Sequence, residues 1–118
     1  MATFAMAMLA CSDLARSRDF YRDVVGLKVT TDSAPHWVDL ELAADGARLG
    51  LHPRSAQLEV KPGSLQLGFE VDSVDRFVND ARHLGATIFQ EPFDESFGRL
   101  AVIGDPDGYP VQVYTRKR

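Results

Sequence analysis

The sequence has little of several features that mark whole classes of protein. It contains one cysteine, Cys11, among 118 residues, so an internal disulfide is excluded and a cysteine-based zinc site is not expected. No apolar run approaches the roughly 20 residues that a membrane-spanning helix needs. The apolar residues 4–11 lack a basic flank, so we interpret them as a strand and not as a signal peptide. The sequence therefore predicts a cytoplasmic protein without a membrane partner.

Basic side chains are also few. Thirteen Lys and Arg stand against seventeen Asp and Glu, which gives a net charge of −4 at pH 7. The bases are scattered except for the tail Arg116-Lys117-Arg118. Because nucleic-acid-binding domains carry a basic patch or stripe, we expect no nucleic-acid partner. The apolar fraction of 45% is enough for the core of one domain.

The sequence does contain an internal repeat. An alternating strand that runs into hydroxyl or acidic residues occupies residues 4–14 and recurs 60 residues later, at 64–74. A helix and three extended segments follow each copy, and Pro62-Gly63 marks the joint between them. The extended segments are 27–31, 36–42 and 48–52, then 87–90, 99–103 and 111–115, with turn signals at Asp45-Gly46 and Asp107-Gly108. The sequence predicts an α+β fold, one domain over residues 1–118 made of two βαβββ modules, about 1–60 and 61–118.

Both predicted helices have an apolar face, a polar N-terminal cap and a glycine stop. In the first, Ser12 or Asp13 is the cap and Gly26 the stop, and the buried residues are predicted to be Leu14, Tyr21, Val24 and Val25. In the second, Asp72 or Ser73 is the cap and Gly85 the stop, and the apolar face contains Val74, Phe77, Val78, Ala81 and Leu84.

Three ordered motifs lie at spacings typical of a known family. They are Ser12-Asp13-Leu14 with Ser17, Phe20-Tyr21 and Gly26-Leu27; the segment FEVDSVD at 69–75; and DPDG at 105–108. Over nearly the whole chain they resemble the vicinal oxygen chelate superfamily, which includes glyoxalase, bleomycin resistance protein and extradiol dioxygenase. The resemblance implies curled mixed sheets around a cleft that holds a divalent metal in the enzymes. It also implies a homodimer, because family members commonly cover exposed sheet edges by pairing.

The resemblance further implies where metal ligands would lie: on the first and last strands of each module. Those positions hold Met6, Gly50, Gln66 and Gln112. A thioether, a missing side chain and two neutral amides do not offset the lost hydration of a divalent ion, so no cofactor is expected. In an alternative set, a shift of two residues from Gly50 places His52 with Gln66 and Gln112. His52 is otherwise a polar wall or rim residue.

Strand alternation predicts which side chains face the cleft. Methionines adapt to irregular ligands, aromatic rings stack, and glutamine both donates and accepts hydrogen bonds. The candidate ligand-binding residues are Met6, Met8, Trp37, His52, Gln66, Glu70, Phe93, Gln112 and Tyr114. Trp37 shares a strand face with Asp39 and Glu41, opposite Val38 and Leu40, and either the cleft or a dimer interface fits it. Phe93 and Phe97 precede Arg99 in a segment that is either a lid or a surface loop.

These observations leave competing functions open. The favoured hypothesis is a metal-free protein that sequesters a planar or cationic ligand such as an antibiotic, as the bleomycin-resistance branch does. The alternative is a metal-dependent lyase, isomerase or dioxygenase with an unconventional site at His52, Gln66 and Gln112. A metal-free enzyme would use Glu70 for acid–base catalysis, while no other catalytic residue stands out. A structural module that pairs with another protein is a third reading.

Overall fold

A computed structural model describes residues 1–44 and 46–117. The chain divides into two compact units, Met1–Val60 and Lys61–Arg118. Each unit contains a strand, a helical segment and three further strands in that order, which confirms the α+β class and the two βαβββ modules. Asp45, the first residue of one predicted turn, and Arg118, the last residue of the basic tail, lie outside the described residues.

The first module forms one mixed four-stranded sheet. Its elements are β1 (Met6–Cys11), α1 (Leu14–Asp19), a π-helical segment (Phe20–Val25), β2 (Val29–Ser33), β3 (Trp37–Glu41) and β4 (Arg48–Pro53). The strand order is β1-β4-β3-β2, with β1 parallel to β4 and the other pairs antiparallel. The buried face carries Leu9, Val38, Leu40, Leu49 and Leu51.

The second module repeats this arrangement. Its elements are β5 (Leu67–Glu70), α2 (Val74–His83), β6 (Thr87–Glu95), β7 (Gly98–Gly104) and β8 (Pro110–Arg116). The strand order is β5-β8-β7-β6, and β5 is parallel to β8. Val74 and Val78 of the helix pack with Ala101 and Val113 of the sheet, so Val113 faces the helix.

The first helix departs from the prediction in its second half. Asp13, one of the two predicted caps, accepts a hydrogen bond from the Arg16 backbone N–H at 3.1 Å. Beyond Asp19 the chain continues as the π-helical segment, whose wider turn changes which side chains face the sheet. Phe20 is therefore buried beside Tyr21, whereas Val24 and Val25, predicted to be buried, are only partly so.

The second helix ends one residue earlier than its apolar pattern. The Ser73 hydroxyl accepts a hydrogen bond from the Arg76 N–H at 3.2 Å, which identifies the cap between the two candidates. Leu84, predicted on the buried face, is 58% exposed because the helix ends at His83. Gly85 follows with a φ of 87°, the left-handed stop that was predicted.

The segment before Arg99 is a strand, so the interpretation of Phe93 as part of a lid or surface loop is wrong. β6 extends well past its predicted end at Gln90, and Phe93 lies opposite Leu100 of β7. Pro92 and the acidic residues around it are uncommon in strands, so the sequence pattern did not predict this part of β6. Proline is tolerated because β6 is the outer strand of its sheet and its register is irregular between Gln90 and Phe93. Phe97 lies in the short connection to β7.

The Asp107-Gly108 turn signal is confirmed, and its mechanism involves Asp105. The Gly108 N–H donates to the Asp105 carbonyl at 2.9 Å, which closes a β-turn between β7 and β8. The buried Asp105 carboxylate accepts hydrogen bonds from the N–H groups of Asp107 and Tyr109, both at 2.9 Å. Gly108 has a φ of 89°, a conformation that glycine adopts without steric cost.

Ser17 on α1 is fully buried, and its hydroxyl makes no hydrogen bond within the described part of the chain. Because an unpaired buried hydroxyl costs about 1–3 kcal/mol, Ser17→Ala should raise the free energy of unfolding by about 1 kcal/mol in urea titrations. Ser73→Ala is the control, since losing a helix cap should lower stability by about 0.5–2 kcal/mol. Destabilisation by Ser17→Ala would mean that its hydroxyl has a partner.

Candidate functional site

Five side-chain positions on the first sheet form what we name the first-module cluster: Met6, Trp37, Asp39, Gly50 and His52. In the sheet register Asp39 lies opposite Gly50, and alternation along β3 and β4 places Trp37 and His52 on the same face. Leu49 and Leu51 point to the opposite, buried face. The structure thus brings together three predicted candidates, Met6, Trp37 and His52, with two residues that were not predicted as site residues.

Trp37 is anchored through its indole nitrogen. The Nε1–H group donates a hydrogen bond to Asp39 Oδ1 at 2.9 Å, and Arg48 Nη1 lies 3.3 Å from Asp39 Oδ2. Asp39 is only 4% exposed, so both its oxygens need such partners. The His52 ring meets the indole edge-to-face at a centroid distance of 5.9 Å. His52 Nδ1 lies 2.7 Å from the Pro53 carbonyl oxygen.

Gly50 is a point of close approach in this cluster. A Cβ atom placed on Gly50 would lie 3.0 Å from Met6 Sδ, 3.0 Å from Trp37 Cη2 and 3.3 Å from Trp37 Cζ2. The thioether and the benzo edge of the indole therefore occupy the space that a side chain would fill. Met8, another candidate, lies opposite Gly50 in the register and is exposed.

Five residues on or next to the second sheet form what we name the second-module cluster: Gln66, Glu70, Phe97, Gln112 and Tyr114. Gln66 directly precedes β5, and Phe97 lies between β6 and β7. Gln66 Nε2 donates a hydrogen bond to Gln112 Oε1 at 2.9 Å. In the β5–β8 register Glu70 lies opposite Tyr114, two residues beyond Gln112 and so on the same face. Val111 and Val113 alternate with them and are buried. The two glutamines at the implied ligand positions are thus in direct contact.

Aromatic and charged groups extend this cluster. The Phe97 and Tyr114 rings meet edge-to-face with centroids 6.4 Å apart. The Glu70 side chain is 43% exposed, and its Oε1 lies 3.9 Å from Arg116 Nε. A hydrogen bond with Tyr114, and secondarily the charge of Glu70, raise the pKa of the Arg116 guanidinium above its usual value. Glu70 is therefore an exposed carboxylate beside a cation.

The sequence did not predict Asp39 and Gly50 as members of a site. Asp39 was assigned to the Trp37 face, but the direct bond between them was not foreseen; their spacing of two residues on one strand is the signal that could have found it. From the sequence, Gly50 indicates only an implied metal-ligand position that has no side chain to coordinate a metal. Its packing against Met6 and Trp37 depends on neighbouring strands, and no local sequence signal reports that.

The residues at the implied metal-ligand positions do not fit a divalent ion. The space above Gly50 is filled by Met6 and Trp37, so a carboxylate ligand there would collide with them. Gln66 and Gln112 are hydrogen-bonded to each other, so the Gln112 amide oxygen is already occupied by a donor. Across residues 1–44 and 46–117, no group of three or more His, Cys, Asp or Glu side chains is arranged to hold a metal ion.

Over the same residues, no helix is long and apolar enough to cross a membrane.

Comparisons with known proteins agree with this architecture. The family described as the Glyoxalase/Bleomycin resistance protein/Dioxygenase superfamily matches residues 3–113. Among solved structures, TnmS3, an antibiotic binding protein from Streptomyces sp. CB03234, is 23% identical with a TM-score of 0.82, covering 99% of this chain and 98% of that one.

Two further solved structures are similar. A glyoxalase/bleomycin resistance protein from Streptomyces sp. CB03234 is 25% identical with a TM-score of 0.75, covering 96% of this chain and 100% of that one. Lactoylglutathione lyase from Agrobacterium tumefaciens is 20% identical with a TM-score of 0.75, covering 98% and 94%. A comparison with curated protein sequences gives no match. The match over residues 3–113 and the two βαβββ modules together establish that the chain belongs to the Glyoxalase/Bleomycin resistance protein/Dioxygenase superfamily.

Proposed function

We propose that this protein binds and sequesters a planar or cationic small molecule, such as an antibiotic, without a metal ion. The observation that carries the proposal is the filled space above Gly50: at a position where metal-bearing relatives are expected to carry a ligand, this chain has an indole and a thioether. An indole and a thioether contact organic molecules over a large apolar surface, whereas divalent metal ions prefer charged or imidazole ligands. One relative of this fold, TnmS3, is described as an antibiotic binding protein, which supports the same class of ligand.

The first-module cluster favours an aromatic ligand. The Trp37 N–H is already bonded to Asp39, so the partly exposed indole offers a ligand its π surface rather than a hydrogen-bond donor. A tryptophan ring attracts flat aromatic groups, and also cations placed over its face. The Met6 thioether beside it adapts to irregular ligand outlines. A planar molecule with a positive charge would use both properties of the ring.

The second-module cluster supplies polar groups. The bond between Gln66 and Gln112 leaves the Gln112 amide nitrogen and the Gln66 amide oxygen unused by other described residues. Paired amides of this kind present a donor and an acceptor side by side, and they match ligand groups that also carry both. Glu70 adds an exposed negative charge. We therefore propose Gln66, Glu70, Gln112 and Tyr114 as ligand contacts.

Metal content is the first test of this proposal. Protein purified without a chelator and then dialysed should hold far less than one equivalent of Zn, Ni, Mn or Fe, because amide and thioether groups bind these ions weakly. Elemental analysis measures this directly. Stoichiometric metal that is lost in His52→Ala would overturn the proposal and favour a metal-dependent lyase, isomerase or dioxygenase.

Direct ligand binding is the second test. Trp37 is the only tryptophan in the sequence, so indole fluorescence reports from one known position. A screen of aromatic and glycopeptide antibiotics should find compounds that quench or shift this emission, with affinities confirmed by calorimetry. Compounds that are chemically converted during the titration would instead indicate an enzyme.

We also propose a homodimer. Each four-stranded sheet ends in two outer strands, β1 and β2 in the first and β5 and β6 in the second. Outer strands present unpaired backbone groups that proteins commonly cover by association. Light scattering at micromolar concentration should therefore give twice the chain mass of 13.0 kDa. A monomeric mass would contradict this expectation.

A further inference from the structure

We infer that Asp39 and Gly50 are positioning residues that together hold the Trp37 indole in one orientation. The inference rests on the proposed function only in its last step, the effect of that orientation on ligand binding. The orientation itself is a property of the ligand-free protein. It can be measured even if the ligand is never found.

Asp39 selects the direction of the indole through its nitrogen. A tryptophan side chain has several staggered conformations, which direct Nε1 to different sides. The carboxylate of Asp39 lies two residues along the same strand and accepts the Nε1–H bond at 2.9 Å. Hydrogen bonds to charged acceptors are stronger than neutral ones, and Asp39 is buried, so water competes little for this acceptor. Other ring orientations would leave Oδ1 of a buried carboxylate without this partner.

The backbone of Asp39 is held as well. Its carbonyl accepts a hydrogen bond from the Thr30 hydroxyl at 3.2 Å, and its second carboxylate oxygen faces Arg48. Asp39 also sits in the middle of β3, between the buried Val38 and Leu40. The acceptor for the indole is therefore attached to a part of the sheet that cannot easily move.

Gly50 determines how closely the indole lies to the sheet. Its φ is not positive, so an alanine can adopt the same backbone conformation, and the requirement for glycine here is one of space. A Cβ at 3.0 Å from both Met6 Sδ and Trp37 Cη2 is closer than ordinary van der Waals contact. Met6 and Trp37 would have to move to accommodate it. Because Asp39 holds Nε1, which lies on the same edge of the indole as Cζ2 and Cη2, the ring could withdraw only by tilting or by breaking that hydrogen bond.

The second module provides a control for the substitution Gly50→Ala. Gly68 lies on β5 opposite Gln112, as Gly50 lies opposite Met8 and Asp39, and both are strand glycines without a positive φ. A Cβ placed on Gly68 meets no atom within 4 Å. Gly50→Ala and Gly68→Ala thus make the same chemical change at two strand glycines, one crowded on the inner strand β4 and one open on the outer strand β5.

The experiment measures the indole in ligand-free protein. Emission spectrum, acrylamide quenching and near-ultraviolet circular dichroism of Trp37 are compared for wild type, Gly50→Ala, Gly68→Ala, Asp39→Ala and Asp39→Asn. We expect Gly50→Ala and Asp39→Ala to shift the emission and increase quenching, and Gly68→Ala to match wild type. Asp39→Asn should retain most of the wild-type signature, because an amide oxygen still accepts the indole N–H. If Asp39→Ala is too unstable to study, Gly50→Ala against Gly68→Ala still decides whether the indole is held in place.

Binding of the planar cationic dye proflavine, measured by calorimetry on the same proteins, separates this inference from the proposed function. We expect Gly50→Ala to weaken dye binding by up to about tenfold, the change expected when a stacking contact of about 1.4 kcal/mol is lost. An altered indole signal without dye binding to wild type would support the positioning role and count against the proposed ligand class. Unchanged indole signals in both Gly50→Ala and Asp39→Ala would overturn the positioning role, whether or not the dye binds.

Discussion

The Trp37→Ala variant is expected to bind a planar ligand about tenfold more weakly than the wild type. Aromatic contacts contribute about 0.5–1.5 kcal/mol beyond the area that they bury, and about 1.4 kcal/mol corresponds to one decade in affinity. The indole is partly exposed and its polar N–H is engaged by Asp39, so its remaining surface is suited to stacking. Calorimetry is the required measurement, because this variant has no tryptophan to report binding.

The control for this prediction must separate binding from folding. Trp37→Ala and Trp37→Phe both leave Asp39 Oδ1 without the indole donor, so both should lose stability, and Trp37→Ala should lose more because it also removes the ring packed over Gly50. Only Trp37→Phe retains an aromatic face, and we expect it to keep much of the affinity. Equal weakening in both variants would point to a folding effect. Undiminished affinity in Trp37→Ala would show that the ligand binds elsewhere on the protein.

A second large effect is expected at the connection between β6 and β7. Gly98 has a φ of 156°, and a Cβ placed on it would lie 1.9 Å from the Thr115 carbonyl oxygen. That oxygen belongs to the backbone of β8, which pairs with β7 at this point, so neither strand can withdraw without breaking the sheet. Backbone strain and steric overlap each cost about 1–3 kcal/mol, and we expect Gly98→Ala to lower stability by about 3 kcal/mol or more.

Urea unfolding of Gly98→Ala measures this loss, and Gly68→Ala is again the matched control. An alanine at Gly68 has open space and an allowed backbone, so its effect should stay within about 0.5 kcal/mol. Gly98→Ala should also disturb the neighbouring contact between Phe97 and Tyr114. Similar stabilities for the two variants would contradict the strain assigned to Gly98.

Some features of the fold follow from local sequence patterns alone. The caps at Asp13 and Ser73 and the glycine stops at Gly26 and Gly85 depend on residues a few positions apart, and each is present in the structure. The 60-residue repeat shows itself because each copy carries the same local patterns. Strand alternation also separated Trp37 and Asp39 from the buried Val38 and Leu40 correctly, because side chains on a strand alternate whatever lies next to it.

Other features were predicted wrongly or not at all. Helical periodicity assumes 3.6 residues per turn, so it misplaced Val24 and Val25 once the chain entered a π-helical turn. The end of β6 was hidden because a proline and several acidic residues disfavour a strand locally, while pairing with β7 stabilises one. At β6, pairing with a neighbouring strand outweighed a local preference.

The sequence by itself determined the family, the two modules and the alternation of side chains along each strand. Only the tertiary structure decided how Met6, Trp37, Gln66 and Gln112 contact their neighbours. The Trp37–Asp39 bond, the packing of the indole over Gly50 and the pairing of Gln66 with Gln112 would each be lost if the distance between the groups changed by a few tenths of an ångström to an ångström. Such distances arise from side-chain conformations and strand register, and local periodicity contains no information about them.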